Sequence, residues 1–196
     1  MNASLDYHQF HRTHRQPILH YEGEIEIVGT LSQGRLGSTL SMHTLREWGQ
    51  AAIIRGFSSF EDAVQSVLDS DITAAWVPGA YSGIARFIHD PRLEVLDTVL
   101  MELPPVVLAG PTQTPPDKAD YLFFHPATAS YLTSIDFRVH EHVPVTSTTL
   151  ACEKMMGYSG PSLAITSRFC VHDYGAHEYA VLNEHTKMPF SLFGRC

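Results

Sequence analysis

Lysine is scarce in this 196-residue chain: only Lys118, Lys154 and Lys187 occur, against ten arginines. The net charge is −8. Without clustered cations to hold a polyphosphate, a nucleic-acid partner is not expected. A small anion held by a few local donors remains compatible, and a bidentate arginine clamp is the expected carboxylate device. Cysteine is scarce too. Cys152, Cys170 and Cys196 are odd in number and form no CxxC pair, which predicts reduced thiols in a cytoplasmic setting rather than a disulfide framework. No apolar run approaches the ~20 residues needed to cross a bilayer. The opening "MNASLDYHQFHRTHRQP" has no apolar core of a secretory signal. A soluble cytoplasmic protein without a membrane partner is the expectation. GxSxG, HExxH, P-loop and GxGxxG patterns are all missing.

What is present is an ordinary globular composition, 44% apolar and 17% charged, in a chain long enough for a sizeable core. Residues 1–23 read as a mobile leader; His8, His11 and His14 recur there at metal-like spacing, but a polar terminus is the favoured reading. "EIEIVGTL" alternates like a strand. "SQGRLGSTLSMHTLREWG" is a glycine-rich turn opening into a helix, with Ser38 as its cap. "AIIRG" is a second strand. "SSFEDAVQSVLDS" is a helix with Ser58 and Glu61 as a capping box. "ITAAWVP" and "LEVLDTVLMELPPVVLAG" are extended, and residues 110–120 form a proline-rich loop. Then follow "YLFFHP" (strand), "ATASYLTSI" (helix), "FRVHEHVPV" (strand), a helix led by "TSTTLAC", "SLAIT" (strand), a helix to about Tyr174–Gly175, and closing strands "EYAVLN" and "FSLFG". Alternating strands and helices predict an α/β fold.

Three strand-to-helix turns carry small or hydroxyl residues: Ser32–Ser38, Pro126–Thr128 and Thr146–Thr149. They are three independent helix caps, or they converge on one anion at the carboxyl ends of strands. His140 and His142 would share one face of a strand as a metal pair, but no third ligand is indicated and an exposed strand is favoured. His125, at a strand end before Pro126, is either a site residue or a structural one.

The order of segments from about residue 24 onward resembles the catalytic domain of prephenate dehydratases. "TLSQGRLGS" is similar to that family's GPxGTxS turn, "FSSFEDAV" to its next helix, and "VPGAYSG" to PxENSxxG. "FFHPATAS" is similar to SHPxAL, "VTSTTLAC" to STAxAA, and "SLAITSRFCVHDYG" to AAIxxxxxAxxYG. The resemblance implies a two-lobed fold like type 2 periplasmic binding proteins, with residues 24–103 plus 182–196 as one lobe and 104–181 as the other. Prephenate would sit between them, against Ser38, Ala80, Tyr81, Ser147, Thr148 and Thr149.

Departures from the family pattern accompany the matches. The dehydratase Thr-Arg-Phe triplet, whose Thr is associated with protonating the departing ring hydroxyl, falls on Ser191, Leu192 and Phe193 in one register. In another it falls on Gly194, Arg195 and Cys196. Neither keeps the triplet intact. Ala80 and Tyr81 stand where PxENS has its asparagine, and the ACT domain that commonly follows in dehydratases is not expected here. "VPGAYSGI", "VTSTTLA" and "SLFGR" are most similar to the non-aromatising prephenate decarboxylases of bacilysin-type pathways. That resemblance implies loss of CO2 with the ring hydroxyl retained and neither metal nor organic cofactor required. Ser191 and His125 are the candidate catalytic groups, Leu192 and Phe193 line the substrate, and a homodimer is compatible. A true dehydratase and a non-catalytic binder of an aromatic or dicarboxylate ligand are the alternatives.

Overall fold

"AAWVP" is a continuous apolar run that, as a strand, sends Ala74 and Trp76 one way and Ala75 and Val77 the other, all fully buried. This segment, β3 (Ala74–Pro78), is the middle strand of a sheet in the computed structural model, which describes residues 25–196. β1 (Ile27–Leu31) pairs in parallel with β3 and with β2 (Ile53–Phe57). On the other side, β10 (Thr186–Arg195) lies antiparallel between β3 and β4 (Leu93–Leu103). The order is β2-β1-β3-β10-β4. Helix α1 (Leu40–Trp48) covers the Trp76 face, where Trp48, Trp76, Phe190 and Leu192 share one cluster. Helices α2 (Phe60–Leu68) and α3 (Ile84–Ile88) cover the other, burying Ala75, Val77, Phe87 and Phe193.

The second sheet has the order β7-β6-β8-β5-β9. It comprises β5 (Val106–Gly110), β6 (Lys118–Phe124), β7 (Arg138–Pro144), β8 (Ser162–Ser167) and β9 (His177–Asn183). β6 runs parallel to β7 and β8, while β5 runs antiparallel to β8 and β9. Helices α4 (Thr148–Gly157) and α5 (Arg168–Tyr174) pack on one face around Ala151, Cys152, Met155 and Cys170. The opposite face, around Leu122, Leu163 and Ile165, is covered by Tyr131, Leu132 and Phe137. The architecture is therefore α/β, with two mixed sheets. No helix among the described residues is long and apolar enough to cross a membrane.

Several local expectations shift. Thr39, not Ser38, caps α1, accepting from the Met42 N–H at 3.1 Å. Ser59, not Ser58, caps α2 through the Asp62 N–H, and the Ser58 hydroxyl instead bonds the Asp62 carboxylate. Residues Pro126–Ser134 form a 3-10 segment rather than an α-helix; its Thr and Ser hydroxyls return to carbonyls three residues back, as Thr133 does to Ser130. β6 begins at Lys118, inside the expected loop, because its partner β7 reaches Arg138 and pairs with it. The short helix α3 carries no cap hydrogen bond from a side chain and gave no capping signal. The histidine triplet of residues 8–14 lies outside the described residues.

β10 is held into the first sheet by an aromatic stack, Phe190 on Trp76, with centroids 5.1 Å apart and planes 10° from parallel. Phe190→Ala should cost about 3–5 kcal/mol, the usual loss for a buried aromatic. Equilibrium urea unfolding would measure it, and a loss below ~1 kcal/mol would mean that this stack does not hold the strand.

Candidate functional site

The turn from β1 to α1 is tight because two glycines occupy the left-handed region, Gly34 at φ 75° and Gly37 at φ 61°. Gly37 N–H donates to the Gly34 carbonyl at 3.1 Å, and Ser32 Oγ donates to the Gly37 carbonyl at 2.9 Å. The turn lies against the helices of the second sheet. Thr149 Oγ1 donates to the Ser38 carbonyl at 2.7 Å. Ser38 Oγ donates to Asp173 at 3.4 Å, and Thr146 Oγ1 donates to Gln33 at 3.3 Å. The Arg35 N–H donates to Glu153 at 2.9 Å.

The carboxyl end of β7 leads into α4, whose cap is Ser147, accepting from the Leu150 N–H at 3.0 Å. The four successive hydroxyls have different tasks. Ser147 caps, Thr146 reaches Gln33, and the fully buried Thr149 spends its single proton on Ser38. Thr148 is half-buried, and its hydroxyl has no hydrogen-bond partner among the described residues. With the protons of Ser147 and Thr148 at the positive end of the helix, this end of α4 can hold one carboxylate.

The remaining candidates are placed apart. His125 ends β6 and starts the 3-10 segment, its Nδ1 accepting from the Ala127 N–H at 3.2 Å. Burial lowers its pKa, so the ring is neutral at neutral pH, with its proton on Nε2. Ser191 lies on β10 opposite Val77 and Thr98, its hydroxyl 3.4 Å from that of Thr98. No hydrogen bond joins His125 or Ser191 to the Ser38–Thr149 cluster among the described residues. Ala80 is exposed. Tyr81 turns back onto α2, its ring against Phe60 and Phe87 and its hydroxyl on Glu61. Leu192 and Phe193, expected against a ligand, are fully buried in clusters on opposite faces of the sheet, as adjacent residues of a strand are. Their side chains have no surface to offer a substrate.

The expected arginine clamp exists but holds the protein's own carboxylates: Arg168 bonds both oxygens of Glu178, at 2.9 and 3.0 Å, and also Glu184. The buried thiols of Cys152 and Cys170 are not nucleophiles at neutral pH. Burial pushes Cys152 up to about 12 and raises Cys170 as well. His140 and His142 are exposed on the edge strand β7, and no metal-holding group of three side chains occurs among the described residues.

Sequence reasoning missed Glu153, Asp173 and Tyr174. One signal was available: Thr149 and Glu153 stand four residues apart on α4, which puts both on one face.

No protein-family model and no curated protein matches this chain. Solved structures do match. A prephenate dehydratase from Arthrobacter aurescens in complex with L-Phe is similar at TM-score 0.70 and 16% identity, over 87% of this chain and 60% of that one. GqqA, described as a novel type of quorum-quenching acylase, is similar at TM-score 0.59 and 15% identity, over 87% of this chain and 64% of that one. An ABC transporter structure from Parabacteroides distasonis is similar at TM-score 0.50 and 11% identity, over 89% of this chain and 67% of that one. The chain thus spans less than two thirds of the length of the first two. At these identities the likeness is one of fold: an α/β, periplasmic-binding-protein-like arrangement shared with a prephenate dehydratase.

Two outcomes test this division of labour. Thr149→Val leaves the Ser38 carbonyl without its donor and should destabilise the protein by about 1–3 kcal/mol, whereas Thr148→Ala should leave unfolding nearly unchanged and weaken anion binding. Chemical denaturation and calorimetry on both variants would read this; equal destabilisation by the two would contradict it. The second concerns acid. The folded pKa of His125 lies below its ordinary 6.5, so the neutral ring's contribution is fully present above that value and is lost as pH falls through the folded pKa. The stability gap between wild type and His125→Asn should therefore shrink on acidification below about pH 6.5 in thermal melts.

Proposed function

We propose that this chain binds prephenate and removes its ring carboxylate as CO2 without aromatising the ring. The two-lobe division, residues 24–103 plus 182–196 against 104–181 with the ligand between, belongs to the same proposal. The observation that carries it is the set of hydroxyls at the start of α4, Ser147 and Thr148, beside a turn from the other sheet. That arrangement suits a dianion on an acidic protein, because each helix terminus supplies about 0.3–1 kcal/mol locally. The fold likeness to a prephenate dehydratase supports the choice of dianion.

The choice of reaction rests on proton supply. When the bond from the ring to its carboxylate breaks, the electron pair moves into the adjacent ring alkene. If an acid protonates the ring hydroxyl, water leaves and phenylpyruvate forms. If the proton goes to the far carbon of that alkene, the hydroxyl stays and a dihydro-4-hydroxyphenylpyruvate results. A positioned acid contributes about 10²–10⁴ in rate. The candidates here are weak acids: the Ser191 hydroxyl beside Thr98, and the imidazole of His125, kept neutral by burial. Weak donors of this kind favour retention of the hydroxyl. CO2 departs as a neutral molecule, so the substrate serves as its own electron sink. Antibiotic or non-ribosomal peptide precursors are the product class this implies.

Incubation with prephenate and NMR of the products is the test. A product that keeps the ring hydroxyl, with one CO2 released per prephenate, is expected. Phenylpyruvate would assign a dehydratase instead, and tight binding without turnover would assign a binding protein. Ser191→Ala should slow the reaction without changing the product; an unchanged rate in that variant would remove Ser191 from the proposed chemistry.

A further inference from the structure

Glu153 stands at the centre of the seam between the two sheets. One oxygen, Oε2, accepts both the Arg35 N–H at 2.9 Å and the Tyr174 hydroxyl at 3.2 Å. Tyr174 is itself buried, and burial together with the Glu153 charge pushes its pKa up to about 12. It therefore keeps its proton and remains a donor to Glu153 throughout the neutral range. Gly34 completes the fit: a Cβ there would lie 2.5 Å from Glu153 Oε2 and 2.9 Å from the Tyr174 hydroxyl. The glycine is thus required twice, by its φ of 75° and by this close approach. One helical turn before Glu153, Thr149 holds the Ser38 carbonyl, and one residue before Tyr174, Asp173 accepts from the Ser38 hydroxyl. A stack of His43 on Phe169, 4.9 Å between centroids and with planes 2° from parallel, extends the seam from α1 to α5.

We propose that Glu153 is a positioning residue: it latches the Ser32–Thr39 turn of the first sheet onto α4 of the second, and so fixes the placement of Ser38 beside the anion-holding start of α4. The turn has no apolar anchor of its own at this point, since Leu36 is 45% exposed. Its position therefore depends on polar contacts, and the only ionised acceptor for its backbone is Glu153 among the described residues. A hydrogen bond to a charged acceptor is about twice as strong as a neutral one, so this contact outweighs the neutral Thr146–Gln33 bond beside it. The ligand-binding half of this statement rests on the function proposed above; the latch itself does not.

The test uses two readouts. Hydrogen exchange of the amides of residues 32–39, measured by mass spectrometry without any ligand, should rise at least about 10-fold in Glu153→Ala, while the sheet amides stay protected. Gly34→Ala should produce the same local loss by forcing the turn off the carboxylate, and Tyr174→Phe a smaller one. Glu153→Gln, which retains an acceptor oxygen, should restore most of the protection. With prephenate as the probe, Glu153→Ala should raise KM about 10-fold and hold kcat within about 2-fold, as expected when a binding group is misplaced rather than a reacting one. Unchanged exchange at residues 32–39 would overturn the proposal. So would a uniform rise across the whole chain, which would make Glu153 a general stabiliser. Should Glu153→Ala fail to fold, unchanged exchange in both Gly34→Ala and Tyr174→Phe would overturn it equally. Local exchange that rises while prephenate neither binds nor reacts would retain the latch and reject the substrate.

Discussion

The return of the last strand to the first sheet is the constraint on which the arrangement depends. β10 enters antiparallel between β3 and β4, after the chain has built the whole second sheet. It is secured where Phe190 stacks on Trp76, and Trp76 is in turn pinned through its indole N–H to Thr44 and through its carbonyl by Thr30. Because the chain crosses between sheets at both residues 104–105 and residues 184–185, the two sheets are joined by two segments rather than one. A doubly tethered pair keeps the carboxyl ends of β1 and β7 close enough for a turn of one to bond a helix of the other. Sites that draw groups from two sheets need such a constraint, since neither sheet alone holds the complementary half.

The polar chemistry at that junction is unequal. Most of the hydroxyls and carboxylates there satisfy one another: Thr149 with Ser38, Ser38 with Asp173, Glu153 with Arg35 and Tyr174. What is left for a ligand is the start of α4. The Cys152 and Cys170 thiols beside it keep their protons, and the Arg168 guanidinium at the start of α5 is taken up by Glu178 and Glu184.

Much of this fold was legible in residue patterns. The period of "FEDAVQSVL", the alternation of "EIEIVGTL" and the glycine-punctuated "SQGRLGS" each report a local preference that the structure keeps. The α/β class followed from their order. Caps slipped by one residue, Ser38 to Thr39 and Ser58 to Ser59, because neighbouring hydroxyls compete for the same helix start and only the backbone angles choose between them. The roles of Leu192 and Phe193 were not legible. Alternation turns these adjacent residues to opposite faces, but it does not say that helices cover both faces of the sheet at this point and leave neither side chain for a ligand. Likewise, the division of tasks among Thr146, Ser147, Thr148 and Thr149 depends on partners more than a hundred residues away for two of the four. Composition and spacing say nothing about such distant pairings.

Cysteine placement has a practical consequence. Cys152 and Cys170 are sealed within the α4–α5 cluster with raised pKa values, whereas Cys196 is exposed just past the end of β10. A maleimide dye or a nitroxide added to the native protein would therefore attach at a single position without prior removal of other thiols. The fold thus carries a ready spectroscopic handle on its closing strand, from which motion of the second sheet relative to the first can be followed after one further cysteine is introduced on β7 or β9.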